Sequence, residues 1–130
     1  MFMKNICKII SALYLILACF ACEKLLVDIS GEPDMVVENR LGLLHFFDDD
    51  YKKWGVRYHY PDTHDNVDWY IIVDMNDRNF PFSELKEDWT EVSVSGFCYR
   101  IPDNILHEKG IPLLGGMKHY YIKVTELKLE

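Results

Sequence analysis

The stretch EVSVSGFCY, residues 91–99, sets the fold class of this 130-residue chain. Its apolar and polar side chains alternate, so that Val92, Val94 and Cys98 share one face and the two serines lie on the other. A period of two is typical of a strand with one buried face. Gly96 falls where a strand of a small barrel would bend. The stretch therefore predicts a bent strand in a β-barrel.

Four further segments have strand character, and they comprise residues 36–47, 54–60, 67–73 and 119–129. Gly42 interrupts the first segment and predicts a bend or bulge there. The first two segments are separated by a short polar run and read as a hairpin, which Pro61 ends. The last segment alternates, with Tyr120, Ile122 and Val124 on one face.

Between the third and fourth strands, Ser83 could cap a helix of one or two turns over residues 84–89. No other helix is favoured after the N-terminal segment. Residues 102–117 contain two prolines and three glycines. We therefore expect a long loop with little regular structure there.

The predicted order is strand, strand, strand, short helix, strand, strand. This is the order of an OB-type fold, a five-stranded Greek-key barrel. We predict a mainly all-β, OB-like antiparallel barrel over residues 35–130, with one short helix. A meander or a small sandwich of five antiparallel strands has the same order, so both stay open as alternatives.

Residues 1–21 are typical of a cleaved export signal. Lys4 and Lys8 provide the positive start, and residues 9–20 contain no charged side chain. This apolar run is shorter than the roughly 20 residues that span a bilayer. A signal is therefore favoured over a transmembrane helix, and a buried N-terminal helix is the alternative.

The signal ends in two cysteines that each follow a small residue, Cys19 and Cys22. The junction resembles the lipobox of bacterial lipoproteins, in the loose form used by Bacteroidetes. We predict lipid attachment at Cys22, with Cys19 as the alternative acceptor and residues 22–34 as a tether. Several acyl chains would anchor the protein in the cell envelope, with the outer membrane as the expected site and a periplasmic or surface-exposed domain.

The chain has 21 acidic and 14 basic side chains and a formal net charge of −7. Removal of residues 1–21 would take away Lys4 and Lys8 and no acidic residue, which makes the remainder more acidic. Such a charge repels nucleic acid. Cleavage before Cys22 and lipidation would leave Cys98 as the one free cysteine, so we expect no intramolecular disulfide. We predict a monomer that is stabilised by its core.

Four stretches carry a family resemblance: WGVRYHYPDT (54–63), DWY (68–70), FPFSELK (80–86) and VSVSG (92–96). They resemble small Bacteroidetes lipoproteins with OB-like folds, including the NigD-like group. The resemblance covers most of the chain after the signal. It implies the fold and the envelope location, and it supplies no catalytic residues.

Aromatic side chains on the second and third strands are the candidate ligand-binding residues: Tyr58, Trp69 and Tyr70. On the outward face of an OB-like barrel they could stack against a sugar ring or hold a partner protein. The competing interpretation is that they fill the barrel interior.

The strongest metal candidate is a cluster around one turn, formed by His59, Asp62, His64, Asp65 and Asp68. Its spacing matches no standard metal signature. We expect an exposed polar turn and predict no metal and no cofactor.

Ser93, Ser95 and Cys98 lie on a strand without a nucleophile motif. We therefore predict a membrane-anchored lipoprotein with a non-catalytic binding or accessory role. The alternative is an inhibitor or immunity protein that presents acidic loops, residues 102–117 or the turn at Asp48, to a basic hydrolase or toxin. A metal-dependent hydrolase comes third.

Overall fold

The computed structural model describes residues 24–48, 50–63, 65–75, 80–85 and 89–130. Its strands are β1 (Met35–Phe47), β2 (Lys53–His59), β3 (Val67–Met75), β4 (Thr90–Ile101) and β5 (Met117–Leu129). A 3-10 helix (Phe82–Glu84) follows β3, and the α-helix α1 (Asp103–Glu108) follows β4. The mainly β prediction is confirmed. The predicted signal and Cys22 lie outside the described residues.

The strands close into a barrel in the order β1-β2-β3-β5-β4, with β4 paired to β1. This order confirms the OB-like prediction and excludes the meander and the sandwich. One pair, β3 with β5, is parallel, and the other four are antiparallel. The predicted antiparallel arrangement therefore holds for every pair except β3 with β5. A closed ring with an odd number of strands cannot alternate direction throughout, so at least one pair must be parallel.

The barrel interior is filled by the alternate side chains that the sequence pattern singles out. Val92, Val94 and Cys98 of β4 have no exposed surface, as predicted. Ile122 and Val124 of β5 join them in the same cluster. We call this cluster the inner core.

The sheet irregularities converge on Ser95 and Gly96. The β1–β4 register shifts between Val37 and Arg40, and the β4–β5 register shifts at Ser95/Gly96, as predicted for this glycine. Asn39 has a positive φ of 48° and donates its N–H to Ser95 Oγ at 2.9 Å. Both neighbours of β4 are thus irregular at the same level, which bends the sheet there.

The bulge predicted at Gly42 is wrong in position, because it lies at residues 38–39 of the same strand. Gly42 itself pairs regularly with Val92. A Cβ at Gly42 would lie 2.5 Å from Val56 Cγ1, so the glycine is explained by the close approach of β1 and β2.

One end of the barrel is closed by aromatic side chains after β3. Phe80 and Phe82 pack against the inner core, and Phe82 stacks on Trp54 with 5.0 Å between ring centroids. The predicted cap at Ser83 is wrong, since Pro81 precedes the 3-10 helix and makes no side-chain cap. Leu85 is already extended, because the chain turns its apolar residues into the barrel here. Residues 86–88 of the predicted helix lie outside the described residues.

The irregular loop predicted for residues 102–117 contains α1. Pro102 is its N-cap, and the Pro102 carbonyl accepts the N–H groups of the first turn. At its end Gly110 has a φ of 71°, and the Ile111 N–H donates to the Leu106 carbonyl at 3.0 Å. This is the Schellman arrangement that ends many helices. Ile105 and Leu106 hold α1 against the barrel.

A second apolar cluster, the outer cluster, covers the outside of β3, β4 and β5. It contains Ile71, Tyr99, Ile101, Leu106, Ile111 and Tyr121, with side chains from residues 25–29 packed against it. The Leu26 N–H donates to the Tyr121 hydroxyl at 3.0 Å, and the Tyr99 hydroxyl donates to the Gly31 carbonyl at 3.0 Å. The described part of the predicted tether therefore packs on the barrel. Within the described ranges, no helix has the length and hydrophobicity that would let it cross a membrane.

Candidate functional site

A polar network lies inside the barrel around Asp68, whose side chain is 1% exposed. Its Oδ2 accepts hydrogen bonds from the Tyr60 hydroxyl at 2.6 Å and the Tyr70 hydroxyl at 2.8 Å. Arg40 Nη1 lies 3.6 Å from the same oxygen and also donates to the Tyr70 hydroxyl. The Arg40 guanidinium lies 4.6 Å from the ring centroid of Tyr58. This network places a charged pair among aromatic rings.

The network around Asp68 includes two of the three predicted ligand-binding residues, Tyr70 and Tyr58. Tyr70 has no exposed surface, so it offers no face to a ligand. Burial, followed by the charge of Asp68, raises the pKa of Tyr70 and keeps its hydroxyl protonated as a donor. Tyr58 is half-buried and packs against the inner core. Both residues follow the competing interpretation, which placed the aromatics inside the barrel.

Trp69, the third predicted residue, lies on the outward face. In register it stands between Arg57 of β2 and His119 of β5. The Arg57 guanidinium lies 5.8 Å from the Trp69 ring centroid, and Phe47 packs edge-on at 4.8 Å. Gly55 makes room for this contact, because a Cβ there would lie 2.3 Å from the Phe47 ring.

Unpartnered polar atoms are concentrated on this face. They are His45 Nδ1, Arg57 Nε, Trp69 Nε1 and His119 Nε2, and all four are buried without a hydrogen-bond partner among the described residues. The fifth such atom in the described part of the chain is Asp68 Oδ1 in the interior. A buried polar group without a partner costs about 1 to 3 kcal/mol, so four in one place require an explanation.

Trp89 completes this face from outside the barrel. Its ring stacks on His45 with 4.0 Å between centroids and 7° between planes, and it lies 6.1 Å from the Trp69 ring. Trp89 remains 38% exposed. We name His45, Arg57, Trp69, Trp89 and His119 together the donor face.

An open groove of about 420 Å³ adjoins the donor face and shares Arg57 with it. Leu41 and Leu43 of β1 form its apolar wall, and Leu41 is 63% exposed. His59 and Glu91 supply polar groups on either side. An apolar wall with a few convergent polar groups is the usual composition of a ligand site.

The sequence reasoning missed Arg57, His45 and His119. Arg57 and His45 share an outward parity with Trp69 only when the β1–β2 and β2–β3 registers are known. His119 reaches the face through the parallel pairing of β5 with β3. No signal in the linear sequence connects these residues.

The predicted metal candidates do not converge within the described part of the chain. Asp68 points into the barrel and is held by tyrosines, while His59 is exposed on the neighbouring strand. Asp62 and Asp65 are exposed, and His64 lies outside the described residues. Among the described residues, no group of three or more metal-ligating side chains is close enough to hold an ion.

The three candidate nucleophiles on β4 are buried or hydrogen-bonded to the backbone. Burial raises the pKa of the Cys98 thiol to about 12, which keeps it protonated at neutral pH. Ser95 Oγ accepts the Asn39 N–H, and Ser93 is buried. Cys98 is a free thiol in the inner core.

His119 is buried on the donor face, with its Nδ1 2.7 Å from the Tyr51 hydroxyl. Burial, and then the charge of Arg100, lowers the pKa of His119 to about 4. The imidazole is therefore neutral at pH 7, and one of its two nitrogens carries a proton.

This buried imidazole predicts an acid sensitivity. The unfolded chain binds a proton at His119 near pH 6.5, whereas the folded chain does so only near pH 4, so protonation favours unfolding as the pH falls through this window. His119 should remove roughly 3 kcal/mol of stability between pH 7 and pH 4. Urea unfolding of the wild type and His119→Gln at both pH values measures the difference.

The matched control is His107→Gln, which removes an exposed imidazole from α1. It should keep the wild-type dependence on pH, while His119→Gln should flatten it. An identical dependence in all three proteins would contradict a neutral, buried His119.

No protein-family model and no curated protein matches the chain. The function of the site is therefore argued from its geometry alone.

Proposed function

We propose that this chain is a lipid-anchored, non-catalytic binding module of the cell envelope, with the outer membrane as its location, and that its ligand is a glycan. The observation that carries the binding proposal is the open, partly apolar groove that Arg57 shares with the donor face. The resemblance to NigD-like lipoproteins stays a prediction.

The chemistry of the donor face favours a ligand rich in oxygen. Arg57 lines the groove and can only donate, so it needs acceptors from a ligand. The side chains of His59 and Glu91 on the groove walls can accept hydrogen bonds. Hydroxyl groups satisfy both kinds of partner, and the carbon face of a sugar ring suits the exposed Leu41 and Trp89.

The groove and the donor face make Arg57 the central residue of this proposal. Arg57→Gln should weaken binding to a glycan by roughly tenfold or more, because a hydrogen bond to a charged donor contributes about 1.5 to 3 kcal/mol. Binding would be measured on an array of neutral and carboxylate-bearing glycans, followed by titration calorimetry.

The control for charge is Lys128→Gln, which removes an exposed cation that is paired with Glu126 and does not line the groove. Equal loss in both variants would argue against the donor face. If no glycan binds but a cationic protein is captured in a salt-sensitive manner, the inhibitor or immunity alternative is supported instead. That alternative has less support, because Lys53 and Lys109 lie beside its acidic loops.

The anchor is tested separately by feeding cells a clickable palmitate analogue. The wild type and Cys19→Ala should incorporate the label, while Cys22→Ala should lose it, because acylation requires the thiol at the mature start. Label in none of the three proteins would overturn the lipoprotein proposal. Loss only in Cys19→Ala would move the anchor by three residues.

A further inference from the structure

A cavity of about 370 Å³ lies where the N-terminal segment, the β1–β2 turn and the end of α1 meet. Among the described residues that line it, Lys24, Lys53 and Lys109 are basic and Asp50 is acidic. The chain as a whole has a net charge of −7. A local excess of positive charge on an acidic protein is an electrostatic footprint for an anion.

The other walls give the cavity an amphipathic character. Leu25, Leu26 and Ile111 supply apolar surface, and the rings of Tyr51 and Tyr121 complete the lining. A small, fully hydrated anion gains no favourable contact from such apolar walls. An anionic group attached to an apolar body fits both parts.

The cavity is fixed close to the proposed lipid attachment. Leu25 already packs against the outer cluster, and the Leu26 N–H is bound to the Tyr121 hydroxyl at 3.0 Å. Cys22 precedes Leu25 by three positions, and three residues extend over at most about 10 Å. A lipid on Cys22 would therefore hold this end of the barrel within roughly one Debye length of the headgroups.

We propose that this lysine cavity binds the phosphate group of an anionic phospholipid and so fixes the orientation of the barrel on the membrane. The inference rests on the proposed lipid anchor, which brings Lys24 to the surface. Lysine ammonium groups bind phosphate as point charges, and the apolar wall contacts the first methylene groups of the acyl chains. With this end held down, the rest of the barrel projects away from the bilayer.

The test treats the protein with a lysine-reactive reagent and measures by mass spectrometry how fast each lysine is modified. Full-length protein, expressed in cells and purified from their membranes, is mixed with vesicles of phosphatidylcholine alone or with phosphatidylglycerol. Lys24, Lys53 and Lys109 should react several-fold more slowly on the anionic vesicles, while Lys118 and Lys128 should react equally on both. Equal rates on the two kinds of vesicle, or slowing of all five lysines, would overturn the proposal.

Paired variants make the test quantitative. Lys24→Gln with Lys109→Gln should weaken the preference for phosphatidylglycerol vesicles by roughly 25-fold, at about fivefold for each lysine near an anionic surface. Lys118→Gln with Lys128→Gln removes the same charge elsewhere and should leave the preference unchanged. Equal loss in the two double variants would show that only net charge matters and would refute a specific cavity.

Two further outcomes separate this inference from neighbouring ones. Inorganic phosphate added to phosphatidylcholine vesicles should give little protection, and strong protection by phosphate without any by phosphatidylglycerol would replace the lipid with a soluble anion. The mass of the N-terminal peptide shows whether its cysteine carries the lipid in the same sample. A lipidated protein with unprotected lysines therefore refutes binding at the cavity and supports the lipid anchor. A protein without lipid but with protected lysines refutes the anchor and supports binding at the cavity.

Discussion

Gly96→Ala is expected to destabilise the barrel by about 3 kcal/mol, because the new methyl group has no room. Its Cβ would lie 2.4 Å from the Lys123 carbonyl oxygen and 2.9 Å from Ile122 Cγ1. The first of these atoms belongs to the backbone of β5, so a change of rotamer cannot relieve the clash. Urea unfolding followed by tryptophan fluorescence measures the loss.

Gly115→Ala is the matched control, since a Cβ at Gly115 meets no atom within 4 Å. Its stability should stay within about 0.5 kcal/mol of the wild type. Two variants of equal stability would mean that β5 can move away from β4 at no cost, and that the irregular register at Gly96 is not required for closure.

Asp68→Ala is expected to cost about 4 kcal/mol, within the range for breaking a buried ion pair. The substitution leaves Arg40 without its carboxylate and removes the acceptor of the Tyr60 and Tyr70 hydroxyl groups. The same denaturation measurement applies, and Asp68→Asn separates the lost charge from the lost volume.

The comparison for Asp68 is Asp103→Ala, which breaks the Arg100–Asp103 pair at 2.9 Å. Asp103 is 63% exposed, so water screens the pair and the loss should stay below about 1 kcal/mol. If the two aspartates proved equally costly or equally dispensable, the interior network would not be a determinant of stability.

The sequence shows which side chains point inward only in strands with one apolar face. β4 alternates because its Val92, Val94 and Cys98 point into the barrel while Ser93 and Ser95 point out. The register shifts were harder to place. A bulge depends on two strands at once, and so the sequence of β1 alone puts it at Gly42 instead of residues 38–39.

The sequence does not reveal helix α1, because the residues at its two ends also favour loops. Pro102 and Gly110 read as loop formers, yet a proline at the start of a helix and a glycine just after its end are also helix signals. The helix has only six residues, and its apolar side chains gain their stability from the barrel surface. Without that surface, so short a segment would not be helical in water.

The candidate site resists prediction because β3 is covered on both sides. Val67–Met75 is apolar at most positions, since Tyr70 faces the inner core and Ile71 faces the outer cluster. A strand without alternation does not show which parity points inward. Trp69 and Tyr70 were therefore equal candidates, and only the structure separates them.

The position of β5 also determines when folding can finish. β3 and β4 do not pair with each other, and β5 lies between them, so the barrel stays open until residues 117–129 have been synthesised. At about 5 to 20 residues per second, a ribosome needs roughly 5 to 20 s to pass from residue 22 to residue 117. Throughout that interval the chain cannot close its barrel, so folding finishes only after the last strand has been made.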